Sequence, residues 1–131
     1  MIRRPLIYLW AFPTTCVGLP FALLALFGGG RIRIVQGVIE IHGPWIAWAL
    51  EHLTLLPGGA SAMTLGHVVI GRDQECLDRS RAHERVHVRQ CERWGPLFIP
   101  AYLGASLVLK LLGRDAYREN PFEREAYEIA P

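Results

Sequence analysis

The sequence predicts an α+β fold in which a small sheet, a hairpin plus one strand, packs on one long charged helix and on further helices. Three observations lead to this prediction. An uncharged apolar run opens the chain, short alternating segments with glycine turns follow it, and segments with helical spacing occupy the second half. At 131 residues the chain has room for one domain with a modest core.

The composition narrows the classes of function. Hydrophobic residues make up 51% of the chain and the mean hydropathy is +0.21, so a membrane-facing part is expected. The 14 basic and 12 acidic residues are interspersed, which predicts no nucleic-acid partner. Cys16, Cys76 and Cys91 form no CxxC pair, so neither a disulfide framework nor a thiolate zinc site is expected.

Residues 1–30 are predicted to form an apolar N-terminal segment, and residues 31–131 the folded domain. The run 5–28 carries no charge and is long enough to cross a bilayer as a helix of about 20 residues. Pro13 and Pro20 each remove a helical hydrogen bond, so a kink or a split is expected. Membrane association through this run is the first expectation. The alternative is a buried apolar hairpin in a cytoplasmic protein.

The segments that follow predict the sheet. Residues 32–41 alternate around a Gln36-Gly37 turn and predict a β-hairpin. Residues 44–56 have apolar spacing typical of a short amphipathic helix that stops at "PGG". Residues 63–70 are rich in threonine and valine between glycines and predict a single strand.

Three further helices are predicted. The first contains residues 79–94, has Asp73 or Asp78 as its N-cap, and ends at "GP". The second, residues 97–112, is apolar but short for a membrane span, which favours a core helix. The third begins at "ENPFEREAYEIA", near residue 120.

The stretch "HERVH" is the strongest chemical signal. His83 and His87 lie one helical turn apart, so their imidazoles point the same way and can hold one zinc ion at about 2 Å. Glu84 is rotated about 100° around the helix, where it reaches a zinc-bound water as a general base. The alternative is a solvated charged face, since arginines and glutamates surround the histidines.

A catalytic zinc needs a third protein ligand. Glu123 sits in the opening turn of the last helix and is the first candidate; Glu125 on another face is the second. Asn120 with Glu123 three residues later is also the pattern of a capping box, which is the structural alternative. Glu92 is on the same helix as the histidines but faces away from them.

"HERVH" followed by "FEREAYE" resembles the gluzincin class of zinc metallopeptidases. "TLGHVVI", "HERVHVRQCERWGPLFIPAYL" and "NPFEREAY" are similar to a group of small bacterial HExxH proteins. The resemblance implies that His83, His87 and Glu123 bind zinc and that Glu84 is the base. Where many gluzincins have an aspartate supporting a ligand histidine, this chain has Tyr127, so a tyrosine hydroxyl or another group must take that role.

Two further hypotheses concern the substrate. His67 is a candidate for stabilising an oxyanion, although a lone strand histidine is more often packed in the core. If residues 63–70 form an edge strand beside the site, a peptide substrate can add to it as an extra strand.

The sequence thus predicts a zinc-dependent peptide hydrolase with Zn²⁺ as its cofactor. The alternative is a noncatalytic protein, either a membrane-associated scaffold or a pseudoenzyme stabilised by zinc.

Overall fold

The computed structural model describes residues 3–52 and 60–130 and has an α+β fold built on a mixed four-stranded sheet. The strands are β1 (Arg31–Val35), β2 (Val38–His42), β3 (Ala62–Leu65) and β4 (Val68–Gly71), in the order β1-β2-β4-β3. The helices are α1 (Arg3–Phe27), α2 (Pro44–His52), α3 (Gln74–Trp94), α4 (Phe98–Leu111) and α5 (Pro121–Ile129), and a 3-10 turn (Gly95–Leu97) joins α3 to α4.

The first hairpin is confirmed. β1 and β2 pair antiparallel from Arg31↔His42 to Val35↔Val38. Both turn residues are left-handed, with φ of 51° at Gln36 and 79° at Gly37, as a two-residue primed turn requires.

The single strand predicted over residues 63–70 is wrong in detail, because this segment forms a second hairpin of β3 and β4. Gly66 turns the chain with a φ of 71°, and a Cβ there would lie 2.4 Å from Thr15 Oγ1. β4 then runs parallel to β2, which leaves β3 at the edge of the sheet.

Helices cover both faces of the sheet. On one face Ile41 and Ile70 pack with Ala25 of α1 and with Ile46 and Leu50 of α2. On the other face a smaller cluster joins the sheet to α3 and contains Val38, Val69, Leu77 and Val88. The sheet therefore lies between much of α1 and the helix that carries the HExxH motif, and the two helices meet at the C-terminal end of α3, where Trp10 donates to the Arg93 carbonyl.

The predicted bounds of α3 are close to those observed. Asp73 is the N-cap, and its carboxylate accepts from the Cys76 amide at 2.7 Å. The helix ends at Gly95, whose φ of 57° favours glycine. There the Thr14 hydroxyl of α1 donates to the Gly95 carbonyl at 2.8 Å.

α1 is one continuous helix of 25 residues despite Pro13 and Pro20, so the expected split does not occur. Its inner side lies directly on the sheet. A Cβ at Gly18 would be 2.8 Å from the Val68 side chain, which shows how closely the helix approaches β4.

The interpretation of residues 97–112 as a core helix is wrong. Within α4 only Phe98 and Ser106 are buried, whereas Leu103, Leu107 and Leu111 are 52%, 58% and 77% exposed. These leucines are spaced by four, so one side of the helix is an exposed apolar stripe.

The other two helices agree with the sequence where the structure describes them. α2 covers residues 44–52, and the rest of its predicted span lies outside the described residues. α5 begins as expected, with Asn120 as the N-cap and Pro121 in the first turn.

Candidate metal centre

α3 brings His83 and His87 to the same side of the helix, with ring centroids 5.1 Å apart. Each of His83, Glu84 and His87 offers a ligand atom within 4.8 Å of the others, so the helix alone assembles a group able to hold a metal ion. His87 is 4% exposed, which places this group at the edge of the core.

α5 adds Glu123 to the two histidines. Its Oε1 atom lies 3.1 Å from His83 Nε2 and 3.0 Å from His87 Nε2. Ligand atoms bound to one tetrahedral zinc at 2.0–2.1 Å are separated by roughly 3.3 Å, so the observed spacing fits a shared ion. The capping-box alternative is not formed. A capping box needs the Glu123 side chain to accept from the Asn120 backbone N–H. That N–H donates instead to the Tyr117 carbonyl, and the Glu123 carboxylate faces the histidine rings.

Gln90 fixes the protonation of His87. The Gln90 side-chain nitrogen donates to the Phe122 carbonyl at 2.9 Å and to Glu125 Oε1 at 2.8 Å. Its amide oxygen therefore faces His87 Nδ1, 2.8 Å away, and must accept from it. With one proton held on Nδ1, Nε2 is the nitrogen that faces Glu123, where it can carry a second proton or present its lone pair to a metal ion.

His83 has the same arrangement. Its Nδ1 atom faces the Ala130 carbonyl at 3.3 Å, an acceptor that holds the proton on that nitrogen. The two Nε2 atoms and one carboxylate oxygen consequently converge on one point. In the absence of a metal ion a proton bridges such a nitrogen and the carboxylate, and a metal ion that binds there takes the place of that proton.

Tyr102 of α4 holds the other oxygen of the ligand carboxylate. Its hydroxyl donates to Glu123 Oε2 at 2.5 Å. Burial and the charge of Glu123 raise the pKa of Tyr102 well above its ordinary value, so the hydroxyl remains a donor. This bond leaves Oε1 directed at the histidines.

Glu84 lies on the side of α3 that faces the sheet. It is 6% exposed, and Thr64 of the edge strand β3 donates to its Oε1 at 2.8 Å. Burial raises the pKa of Glu84 above its ordinary value, against the lowering effect of His87 and Thr64. A carboxylate with a raised pKa and within reach of the histidines is suited to accept and return a proton.

The charges of the cluster are strongly coupled. Burial raises the pKa of Glu123, but hydrogen bonds with His83 and His87 outweigh it and lower that pKa to about 2. Burial lowers the pKa of His87, while Glu123 and Glu84 outweigh it and raise the pKa to about 9. A proton and a metal ion would compete for the same lone pairs, so metal binding here releases a proton.

The remaining predicted residues lie elsewhere or act differently. Glu125 pairs with Gln90, so it is Glu123 that the structure brings to the histidines. His67 Nε2 is 2.8 Å from Glu92 Oε2, so that nitrogen is not available to donate to an oxyanion. The His67 ring also stacks on Tyr8, and these two contacts together connect α1 to α3.

Tyr127 contacts a predicted ligand through its ring. The ring packs against that of His83 with centroids 4.5 Å apart, while its hydroxyl lies 3.0 Å from that of Tyr117. The groups that face the Nδ1 atoms of the two histidines are the Ala130 carbonyl and the Gln90 amide.

Sequence reasoning did not identify the supporting roles of three residues: Gln90, Tyr102 and Thr64. Tyr102 was a candidate only as a hydroxyl donor to a reaction intermediate. Gln90 follows His87 by three residues, so it lies on the same helical face and could have been recognised as a partner for Nδ1. Tyr102 and Thr64 carry no such signal, because their contacts span 21 and 20 residues between separate elements.

No family model, curated protein or solved structure matches this chain. The likeness to gluzincins therefore depends on the motifs "HERVH" and "FEREAYE" and stays a prediction.

Proposed function

We propose that the protein is a zinc-dependent hydrolase of gluzincin type that cleaves a peptide bond. His83, His87 and Glu123 are the proposed zinc ligands and Glu84 the proposed general base. The observation that carries this proposal is the convergence of two Nε2 atoms on one carboxylate oxygen within 3.1 Å, with the Nδ1 atom of each ring directed at an acceptor.

The ligand types favour zinc. Two imidazoles and one carboxylate are the ligand set of several catalytic zinc sites, in which a fourth position stays open for water or substrate. Imidazole nitrogen favours zinc over magnesium or calcium, which prefer oxygen ligands throughout.

In the proposed mechanism zinc supplies a Lewis acid that lowers the pKa of water and polarises the scissile carbonyl. Glu84 takes a proton from the attacking water and returns it to the leaving amine. Thr64 holds one oxygen of Glu84 in place, and the transfer is assigned to the other oxygen. Gln90 and Tyr102 fix the directions of His87 and Glu123, respectively.

The position of β3 supports a peptide substrate. β3 is at the edge of the sheet, and its Thr64 is bonded to the proposed base. An extended peptide that pairs with such an edge would run alongside the base. The substrate is therefore proposed to bind as an additional antiparallel or parallel strand on β3.

Elemental analysis of the purified protein tests the metal site. We expect about one zinc per chain in the wild type and its loss in His87→Ala and in Glu123→Ala. Glu125→Ala is the matched control, because this neighbouring carboxylate pairs with Gln90 and should be dispensable for zinc. A metal-replete wild type without zinc would refute the proposal.

Glu84→Gln separates the enzyme from the noncatalytic alternative. We expect hydrolysis of a peptide library to fall by about 10²–10⁴-fold with zinc retained, because only the proton acceptor is removed. Unchanged zinc binding together with no hydrolysis by the wild type, on any peptide tested, would favour a zinc-stabilised pseudoenzyme.

A further inference from the structure

The outer face of α1 contradicts the usual pattern of a surface helix. Its inner positions Ala11, Thr14, Gly18 and Ala25 are buried against the rest of the protein. The opposite side carries large apolar residues that are 36% to 69% exposed: Leu6, Leu9, Phe12, Leu19, Leu23 and Leu26. A helix that covers a sheet in water normally has a charged outer side, whereas this one has no charge from residue 5 to residue 30.

The exposure of the tryptophans also indicates a surface that contacts lipid. The chain has four, and all are substantially exposed: Trp10 47%, Trp45 54%, Trp48 56% and Trp94 41%. In a water-soluble domain this large apolar ring is mostly buried. Exposed tryptophan is characteristic of the boundary between lipid and water, where the ring is dry and the indole N–H is wet.

The charges that flank α1 favour a lipid surface over a second protein. Arg3 and Arg4 precede the uncharged run, and Arg31 and Arg33 follow it. Basic residues at both ends of an apolar helix pair with anionic lipid headgroups. Binding to an apolar surface of a partner protein would not require basic residues at both ends of the helix.

Within residues 3–52 and 60–130, two stretches are long and apolar enough to cross a membrane by length and composition, Pro5–Phe27 and Gln74–Leu111. The packing of α1 argues against crossing. Near one end the Tyr8 hydroxyl donates to the Gly37 carbonyl of the β1–β2 turn at 2.8 Å. Near the other end Ala25 packs with Ile41 and Ile70 of the sheet. The sheet thus accompanies α1 along most of its length.

A spanning α1 would carry charged residues into the hydrocarbon. Arg33 is exposed at the centre of β1, and α3 on the far side of the sheet has Arg79 and Arg93 with side chains 64% and 66% exposed. Charges at that depth are costly and face a protein interior or a water-filled cavity, not lipid.

We propose that α1 lies in the plane of an anionic lipid surface, with its outer face in the boundary between headgroups and acyl chains, and does not cross the bilayer. The folded domain then remains on one side, in water. This proposal is independent of the metal centre.

Depth measurements on the full-length protein test it. Cys16 is exposed on α1 while Cys76 and Cys91 are buried, so a thiol-reactive nitroxide labels Cys16 selectively. Leu9→Cys and Leu26→Cys, each combined with Cys16→Ser, place labels about 25 Å apart along the helix. Glu128→Cys in the same background is the control on exposed α5.

On phosphatidylcholine vesicles containing phosphatidylglycerol, an in-plane helix gives all three α1 labels the same shallow depth, about 5–10 Å, with the α5 label in water. A deep label at Cys16 with shallow labels at both other sites would mean a spanning helix and overturn the proposal. Labels that stay accessible to water, or self-association that protects them without vesicles, would overturn it as well.

A charge on the outer face gives a second measurement. Leu9→Glu with Leu26→Glu should reduce vesicle flotation by about tenfold or more, since two leucines no longer enter lipid. Ile129→Glu, at an equally exposed position of α5, should float like the wild type. Equal flotation of all three proteins would contradict the proposed surface.

Discussion

Helix α3 contributes to two buried polar clusters. In one the charges are balanced by protein groups alone, whereas the other has a position that a metal ion can occupy. The arginine cluster consists of Glu40 of β2 with Arg81 and Arg85. Arg81 contacts both Glu40 oxygens, at 2.9 and 2.8 Å, and Arg85 contacts one at 2.9 Å. The histidine cluster consists of His83, His87 and Glu123. Its groups meet within 3.1 Å, and both Nε2 atoms face the same Glu123 oxygen, so each contact needs a proton or a metal ion between nitrogen and oxygen.

The difference shows how a binding site can be distinguished from a structural ion pair in the same helix. In the arginine cluster Asp78 brings a second carboxylate to Arg81 at 2.8 Å, so two carboxylates balance two guanidinium groups, although the buried Arg85 Nε atom has no hydrogen-bond partner among the described residues. In the histidine cluster Gln90 and Ala130 occupy the Nδ1 atoms, so the two Nε2 atoms face one Glu123 oxygen. A proton or a metal ion can lie at that point, and a cluster with such an exchangeable position is a candidate for binding a metal ion.

The largest expected effect concerns the arginine cluster. Glu40→Ala leaves Arg81 and Arg85 without their shared partner. We expect it to lower the free energy of unfolding by about 3 kcal/mol. This value is at the lower end of the range for a broken buried ion pair, because both arginines are partly exposed. Urea denaturation measures this. Zinc affinity should not change.

The matched control for that variant is Glu75→Ala. Glu75 meets Arg79 at 3.8 Å on the exposed side of α3 and should contribute less than about 1 kcal/mol. If Glu40→Ala were as stable as this control, or if it lost zinc, the two clusters would not be separable as described.

A smaller effect is expected for the residue that orients His87. Gln90→Leu keeps similar volume but removes the acceptor from Nδ1, so we expect zinc affinity to fall by about 10–100-fold. Competition with a coloured chelator measures it. Glu125→Ala removes a partner of the Gln90 nitrogen and an exposed ion pair with Arg93, but it leaves the Gln90 oxygen facing Nδ1, so this variant should bind zinc like the wild type.

The melting temperatures of the metal-free wild type and Gln90→Leu show whether Gln90 positions His87 or is needed for folding. If Gln90→Leu and the wild type bind zinc equally tightly, Gln90 has only a structural role. If the metal-free variant is unfolded, Gln90→Asn, which shortens the side chain but keeps an amide, should restore folding with affinity still reduced.

The smallest effect is a pH dependence. Burial raises the pKa of Glu40, but hydrogen bonds and charge from Arg81 and Arg85 outweigh it and place the pKa below its ordinary value. A carboxyl group with a lowered folded-state pKa stabilises the protein above its unfolded-state pKa, about 4.3, and that stability is lost as the pH falls through the folded-state pKa.

We therefore expect the stability difference between the wild type and Glu40→Gln to be constant from about pH 7 to pH 5 and to shrink at lower pH. Urea denaturation at each pH measures it. Glu128→Gln, at an exposed position, should show no such convergence. A difference that grows on acidification would contradict the ion pair.

The features of this structure that could be predicted from the sequence depend on local patterns. The Gln36-Gly37 turn, the Asp73 and Asn120 caps and the spacing within "HERVH" each act over a few residues, and each is found where expected. Glu123 was identifiable because its helix has a clear start and follows a recognisable histidine pair.

Contacts between distant segments were not predictable. The split of residues 63–70 depends on Gly66 lying against Thr15, some fifty residues earlier in the chain. The apolar spacing of α4 is the same for a core helix as for an exposed one, and only the tertiary structure shows that its leucines face outwards. Tyr102 and Thr64 became part of the site through similar long-range contacts.

The separation of the ligands along the chain has a consequence for folding. Glu123 is 36 residues from His87 and 40 from His83. An ion bound by all three would act as a reversible cross-link that closes this loop, which for a covalent link of the same length removes about 4 kcal/mol of chain entropy from the unfolded state. Removal of the ion would then lower the stability of the fold as well as empty the site.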